Sequence, residues 1–393
     1  MKKIKYTYSL LLLLALPVNL YAQDLTGIEI YLITCGPGTE TYSVYGHSAL
    51  RIIDHNKGSD LVYNWGIFDF STPGFTWKFA KGRLDYMLGV DNYSRFLQSY
   101  LVEKRWVKSQ KVNLEPEETW KLMLLIRENL KSENIKYRYD FFYDDCSTRI
   151  RDLFEKVLED KLIYTPSSEK KAPSFRELVE KYQRPFPWLN FGINLIMGTP
   201  ADKKADIRAK MFLPLEMQEG LSGAVIKRNG KMVPLIQNPE MVLDFKTPVV
   251  KSSWLTSPLF VFTLMLILLI IFSALIKGKK VNKIFDIILF SIFSILAVLM
   301  IFFNFFTDHQ QMKWNLNILW LNPFIIICLF DLIFNTGRTV WFKTVFTLGL
   351  LALILQFLTP HLFNNAFIPL LIMILVRSSA RSDYKWNPFT LNF

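Results

Sequence analysis

Beyond Pro258 the chain runs through long stretches of Leu, Ile and Phe, whereas Asp24 to about Val250 mixes charged, polar and apolar residues throughout. Stretches of that length reach across the hydrocarbon layer of a bilayer when coiled into helices. Five spans are expected: Leu259 to Ile276, Ile284 to Phe306, Leu316 to Asn335, Val340 to Leu358 and a shorter one from Leu362 to Val376. The preceding segment has the length for one ordinary hydrophobic core. The expected organisation is an outer domain over residues 23–250, a transmembrane helical domain over 258–376 and a cytoplasmic tail at 377–393.

Two independent signals orient this arrangement. Met1-Lys2-Lys3-Ile4-Lys5, the apolar run Leu10 to Leu16 and the small-residue site before Gln23 have the three-part pattern of a secretory signal over residues 1–22. Basic residues alternate between the loops: Lys277, Lys279, Lys280 and Lys283 follow the first span, Arg338 and Lys343 flank the fourth, and Arg377, Arg381 and Lys385 close the chain. The intervening loops hold only Lys313. Positive charge collects on the cytoplasmic side, so residues 23–250 face the periplasm of a bacterial inner membrane as part of a multi-pass protein. The net charge of +12 reflects these residues and a basic outer domain suited to anionic headgroups. The basic residues form no nucleic-acid-reading module.

Within the outer domain, Ile28 to Ile33 reads as a strand, and Ala49 to Ile53 with Leu61 to Trp65 read as a hairpin around the turn His55 to Gly58. Pro116 starts a helix over Glu115 to Leu130. Asn229-Gly230 between apolar runs predicts a second hairpin. Phe186 to Met197 is unusually apolar and fits either a core loop or a membrane contact; Phe75, Trp77, Phe79 and Tyr86, interspersed with Lys78, Lys81 and Arg83, pose the same choice.

The chemistry-bearing residues are one histidine and one cysteine. His47 leads a predicted strand, and Cys146 opens a predicted helix whose apolar residues Ile150, Leu153, Phe154, Val157 and Leu158 share a face, with Asp144 or Asp145 as cap. A thiol at a helix start gains thiolate character, and the free N–H groups there can hold an oxyanion. A neighbouring imidazole supplies a general base. Asn64, on the strand after that of His47, is placed to orient the ring, or is simply a polar residue at a strand end. Cys35 is the alternative fate of the thiol, as a disulfide partner, and Cys328 falls in a membrane span. No cofactor or metal is expected.

The order of histidine, strand, cysteine and helix resembles the circularly permuted papain-like group that includes NlpC-type peptidases and lecithin retinol acyltransferases. The implied fold class is α+β, with such an outer domain followed by an α-helical transmembrane bundle. Thr34-Cys35-Gly36-Pro37-Gly38, Tyr45-Gly46-His47-Ser48-Ala49-Leu50-Arg51, Tyr63-Asn64-Trp65-Gly66-Ile67-Phe68-Asp69-Phe70, Asp145-Cys146-Ser147-Thr148-Arg149-Ile150-Arg151-Asp152 and Phe212-Leu213-Pro214 together resemble the Lnb-type lipoprotein N-acyltransferases of Bacteroidetes. The likeness continues at His309 and Asn315 to Pro323.

The resemblance implies Cys146 as nucleophile, His47 as base, Asn64 as orienting residue, and Ser48, Arg149 and His309 as substrate contacts. It also implies a phospholipid acyl donor and a lipoprotein acceptor. Asp145 departs from a pattern in which Asn often precedes the cysteine, and a carboxylate there opposes thiolate formation unless it turns toward the helix N–H groups or a cation such as Arg149. Lifting an acyl chain into water costs about 0.8 kcal/mol per CH₂, so such a site must touch the bilayer. Two further readings share the sequence: a membrane-tethered papain-like peptidase or amidase acting on the cell wall, and a non-catalytic envelope scaffold.

Overall fold

The computed structural model describes residues 27–165, 171–248, 250 and 252–382. The expected signal peptide lies outside the described residues, as does most of the tail.

The outer domain is built on a sheet of seven antiparallel strands in the order β10-β5-β1-β2-β3-β4-β6. In chain order these are β1 (Ile28–Cys35), β2 (His47–Asp54), β3 (Ser59–Ile67), β4 (Asp85–Asn92), β5 (Val107–Lys111) and β6 (Lys136–Arg138), with β10 (Glu240–Leu243) closing one edge. A smaller sheet joins β7 (Leu162–Ile163), β8 (Val225–Arg228) and β9 (Lys231–Pro234). The predicted β2–β3 hairpin is present, and Asn229 and Gly230 join β8 to β9 with φ of 48° and 77°, the left-handed pair a type I′ turn needs.

Alternation along the strands divides the large sheet's side chains between two cores. Leu32, Leu50 and Trp65 face helices Pro116–Asn129 and Cys146–Leu158, which contribute Leu122, Ile126, Ile150 and Phe154. Ile33, Cys35, Ala49 and Val62 face helix Tyr93–Val102 through Tyr93, Phe96 and Tyr100. The domain is thus a mixed α/β layer structure with one central antiparallel sheet.

Among the described residues, four segments are long and apolar enough to cross a membrane: Pro258–Leu275, Lys279–Phe305, Leu316–Phe334 and Thr339–Leu358. Asn322 and Pro323 divide the third into a 3₁₀ turn, Leu316–Leu319, and an α-helix, Phe324–Phe334. The fifth apolar helix begins and ends later than expected, at Phe367–Arg381, and is the most enclosed of the bundle. It carries Arg377 into the interior rather than releasing it to a tail. That side chain is 1% exposed; it donates to Asp286 at 2.6 Å and to Ser273 at 2.8 Å, and Arg381 takes the other Asp286 oxygen at 2.7 Å.

The apolar segment Phe186 to Met197 forms helix Pro187–Ile196, which packs on the membrane bundle. Phe191 lies 5.1 Å from Phe262 and 5.4 Å from Phe367, and Leu195 joins the bundle core. The last carbonyls of this helix lack intrahelical partners. Asn315 and Asn317 supply them, donating to the Leu195 carbonyl at 2.8 and 3.1 Å. Gly198 follows, where a Cβ would stand 1.8 Å from the Lys313 carbonyl oxygen, so only glycine admits the approach.

The loop 306–314 and Asn364 touch the outer domain, the former through Asp308 on Arg83 and the latter through Asn190. The loop is one that the charge pattern places outside, and Asn364 lies within the expected fifth span, ahead of helix Phe367–Arg381. Lys283 and Asn335, in the loops placed inside, meet each other at 2.7 Å at the opposite end.

Candidate active site

The thiol helix begins as its sequence predicts. Asp145 is the N-cap: its Oδ1 accepts from the N–H groups of Ser147 at 2.9 Å and Thr148 at 2.8 Å, while the Thr148 hydroxyl accepts from the Asp145 N–H at 2.7 Å and donates to the Asp145 backbone carbonyl at 3.3 Å. The departure at this position is thereby accommodated: the carboxylate turns into the helix N-terminus. Arg149 does not reach it. The guanidinium instead grips Asp144 through two bonds, at 2.6 and 2.8 Å, and lies 3.6 Å from the centre of the Tyr137 ring.

The helix lands where two strands part. Pairing between β2 and β3 stops at Leu50 and Tyr63, so His47, Ser48 and Ala49 extend past it on one side and Asn64 on the other. Asn64 onward continues to pair with β4, with a bulge between Trp65 and Ile67. Gly66 forms that bulge at φ +93°, and its missing Cβ would stand 3.9 Å from the Cys146 Cβ and 4.0 Å from the Tyr139 ring. Cys146 is 8% exposed. The backbone N–H groups of Ser48 and Cys146 lie close enough to Sγ to favour its charged form, and the Ser147 hydroxyl lies 3.8 Å away.

Across the same gap, His47 Nε2 and Asn64 Oδ1 are 2.5 Å apart. An amide oxygen only accepts, so Nε2 carries the proton and Nδ1 remains the basic nitrogen. Asp145, the residue before the thiol, lies close enough to act electrostatically on the imidazole. His47 and Asn64 are thereby joined at this sheet opening, where Ser48 and Gly66 border Cys146.

Burial dominates the electrostatics. It pushes the Cys146 thiol up, more strongly than the surrounding donors pull it down, and pushes the His47 imidazole down despite the bond to Asn64. Asp145 engages the Ser147 and Thr148 donors that a helix start would otherwise offer a thiolate, and burial penalises the charge. Both shifts favour the uncharged forms of the thiol and the imidazole. With those two donors engaged, the N–H groups of Cys146 and Ser48 are the ones best placed for a developing oxyanion.

Cys35 is in register with His47 and lies in the core that faces helix Tyr93–Val102, against Tyr100 and Arg105. None of the three cysteines is bonded to another. Burial pushes the Cys35 thiol up to about 12, which suits a packing residue.

His309 sits away from the thiol. Its Nε2 donates to the Phe79 carbonyl at 3.0 Å, and the ring lies against Gly82, so it braces the membrane loop against the outer domain. Ser48 is buried and accepts from the Ser147 hydroxyl at 3.4 Å. Gly66, Tyr139, Ser147 and Asp140 are the site neighbours that sequence reasoning missed. Gly66 and Ser147 lie within motifs already named, and the aromatic-acidic run Tyr137 to Asp145 ahead of the cysteine is the available signal for Tyr139 and Asp140.

The Lnb N-terminal periplasmic domain matches residues 20–181, and the Lnb transmembrane domain matches residues 250–385. The chain belongs to the Lnb family. No curated protein and no solved structure matches it. Lnb membership makes this a multi-pass membrane protein with a periplasmic N-terminal domain and associates it with lipoprotein maturation. In the Lnb chain both matched regions meet at the loop 306–314, where Gln311 bonds Asp140, five residues before the N-cap of the thiol helix.

Proposed function

We propose that the protein is a lipoprotein N-acyltransferase with Cys146 as nucleophile, His47 as general base and Asn64 as the residue that fixes the imidazole. The observation that carries this reading is the placement of a buried thiol, among backbone donors, on a domain bolted to a membrane bundle. Cys146 Sγ attacks the ester carbonyl of a phospholipid as His47 Nδ1 takes the thiol proton. The C–S bond forms, the C–O bond breaks, and the proton passes to the departing alkoxide, giving a thioester and a lysophospholipid. The α-amine of a lipoprotein's N-terminal cysteine then attacks the thioester carbonyl, the amide forms, and the thiol regains a proton. The N–H groups of Ser48 and Cys146 receive the oxyanion in both steps.

Helix Cys146–Leu158, packed across the strand led by His47, is the arrangement expected of a permuted papain-like fold. The decisive experiment is intact-mass analysis of a reporter lipoprotein's N-terminal peptide, with lipid analysis in parallel, for the wild type and Cys146→Ala. Addition of an acyl chain with release of lysophospholipid, both absent in the variant, is the expected result. Cleavage of cell-wall peptide without lysophospholipid would instead assign the same thiol to a peptidase. An unchanged N-terminal mass in both strains, with no cleavage, would leave only the scaffold reading.

A further inference from the structure

Helix Phe75–Ala80 buries none of its residues, although half of them are aromatic. Trp77 and Phe79 are 57% and 52% exposed, and Phe70 beside them is 70% exposed. An exposed apolar patch of this kind on a folded domain marks a surface with an occupant. The rings are also connected. Trp77 stacks on Phe302 of membrane helix Lys279–Phe305 at 5.4 Å, and Phe75 lies 6.2 Å from Phe79, 5.0 Å from Phe70 and 5.9 Å from Phe68. Phe68 meets Tyr86 at 5.3 Å, and Tyr86 stacks on Tyr139 at 4.4 Å. Tyr139 reaches the vacant Cβ position of Gly66, which on its other side faces Cys146.

We propose that this series of rings is a ramp along which one phospholipid acyl chain leaves the bilayer and reaches the thiol. The assignment rests on the acyltransferase reading and adds the route of the donor. Three observations choose lipid as the occupant. The outer end is continuous with a membrane helix through Trp77 and Phe302. Cations border it, with Lys81 4.6 Å from the Trp77 ring centre and Lys78 in the same turn, where they match a phosphate headgroup. The inner end stops at the glycine beside the nucleophile. Anchoring alone does not require these rings, because the apolar helices already hold the protein in the membrane.

The test uses the full-length protein in phosphatidylethanolamine vesicles carrying a phospholipid with a photoactivatable diazirine at the end of its acyl chain. Crosslinks mapped by mass spectrometry should fall on Tyr86 and Tyr139 as well as on the membrane helices. Trp77→Ser with Phe79→Ser should reduce those inner crosslinks by about tenfold. Trp77→Leu should keep them, since an apolar side chain suffices. Both altered positions are exposed, and unchanged alkylation of Cys146 will confirm an intact site. Crosslinks confined to the membrane helices, or inner crosslinks unaffected by the double variant, would overturn the ramp. Because crosslinking needs no turnover, a ramp labelled in a protein that transfers no acyl chain would refute the acyltransferase reading alone.

Discussion

At the opening of the sheet, burial favours the neutral forms of Cys146 and His47, with hydrogen-bonding capacity to spare. At the cytoplasmic end of the bundle, Asp286 is buried as an ion with a guanidinium on each oxygen, and Arg377 finds further acceptors at Ser273 and Asn282. Both regions exclude water, yet they resolve the cost of burying polar atoms in opposite ways. The bundle saturates its charges, so nothing there is left to react. The thiol pocket disfavours charge, which on the proposed mechanism leaves a proton free to move when substrate arrives. Residual capacity to change protonation state, rather than polarity itself, separates the reactive region from the structural one.

Substitutions can break that contrast. The largest effect is expected from Cys146→Ala, which should abolish acylation in the reporter assay while the protein still accumulates in the membrane. Retained acylation would end the proposed chemistry. His47→Ala follows, with a loss of about 10² to 10⁴-fold in turnover, the range for a general base, and little change in thermal stability. Asp286→Ala should do the reverse. Stranding Arg377 and Arg381 costs about 3–5 kcal/mol, read as a lower unfolding midpoint in detergent, whereas the specific activity of the surviving folded fraction should hold.

A pH profile sharpens the same comparison. Burial lowers His47 from its ordinary value of 6.5, so the base stays neutral below that pH and the acid limb of kcat/KM should lie under 6.5. Burial raises Cys146 from 9.0, so the rate of iodoacetamide alkylation should reach its midpoint above 9.0. A midpoint below neutrality would mean a preformed thiolate and imidazolium pair. The smallest effect is expected at the exposed Arg83–Asp308 pair: Arg83→Ala should leave the unfolding midpoint within experimental error, as solvent screens it.

Much of this site can be read from the chain because its signals are local. The cap at Asp145, the face of Ile150, Phe154 and Val157, the β2–β3 turn and the Asn229-Gly230 hairpin each depend on a few neighbouring residues. The membrane helices are legible because apolar length alone specifies them. What escaped was set by distant partners. Asp145 spends the helix N–H groups that were expected to activate the thiol, Arg149 prefers Asp144, and Arg377 enters the bundle because Asp286, Ser273 and Asn282 wait there. The parting of β2 from β3 follows from the Gly66 bulge and the incoming helix, and no periodicity announces either.

The bracket formed by Asp308, His309 and Gln311 has a further consequence. Arg83 holds Asp308, the Phe79 carbonyl holds His309, Asp140 holds Gln311, and the Gly198 N–H donates to the Gln311 carbonyl at 2.7 Å. The height of the sulfur above the bundle is thus fixed by the protein, while the height of the lipid headgroups is fixed by the membrane. The molecule behaves as a ruler standing in a sheet whose thickness it does not control. In a thicker bilayer the headgroup plane rises toward the thiol, in a thinner one it sinks away, and local bending of the lipid must supply the difference at a modest cost for each ångström. On the proposed acyltransferase reading, bilayer thickness should then tune turnover mechanically, without a separate effector bound to the protein.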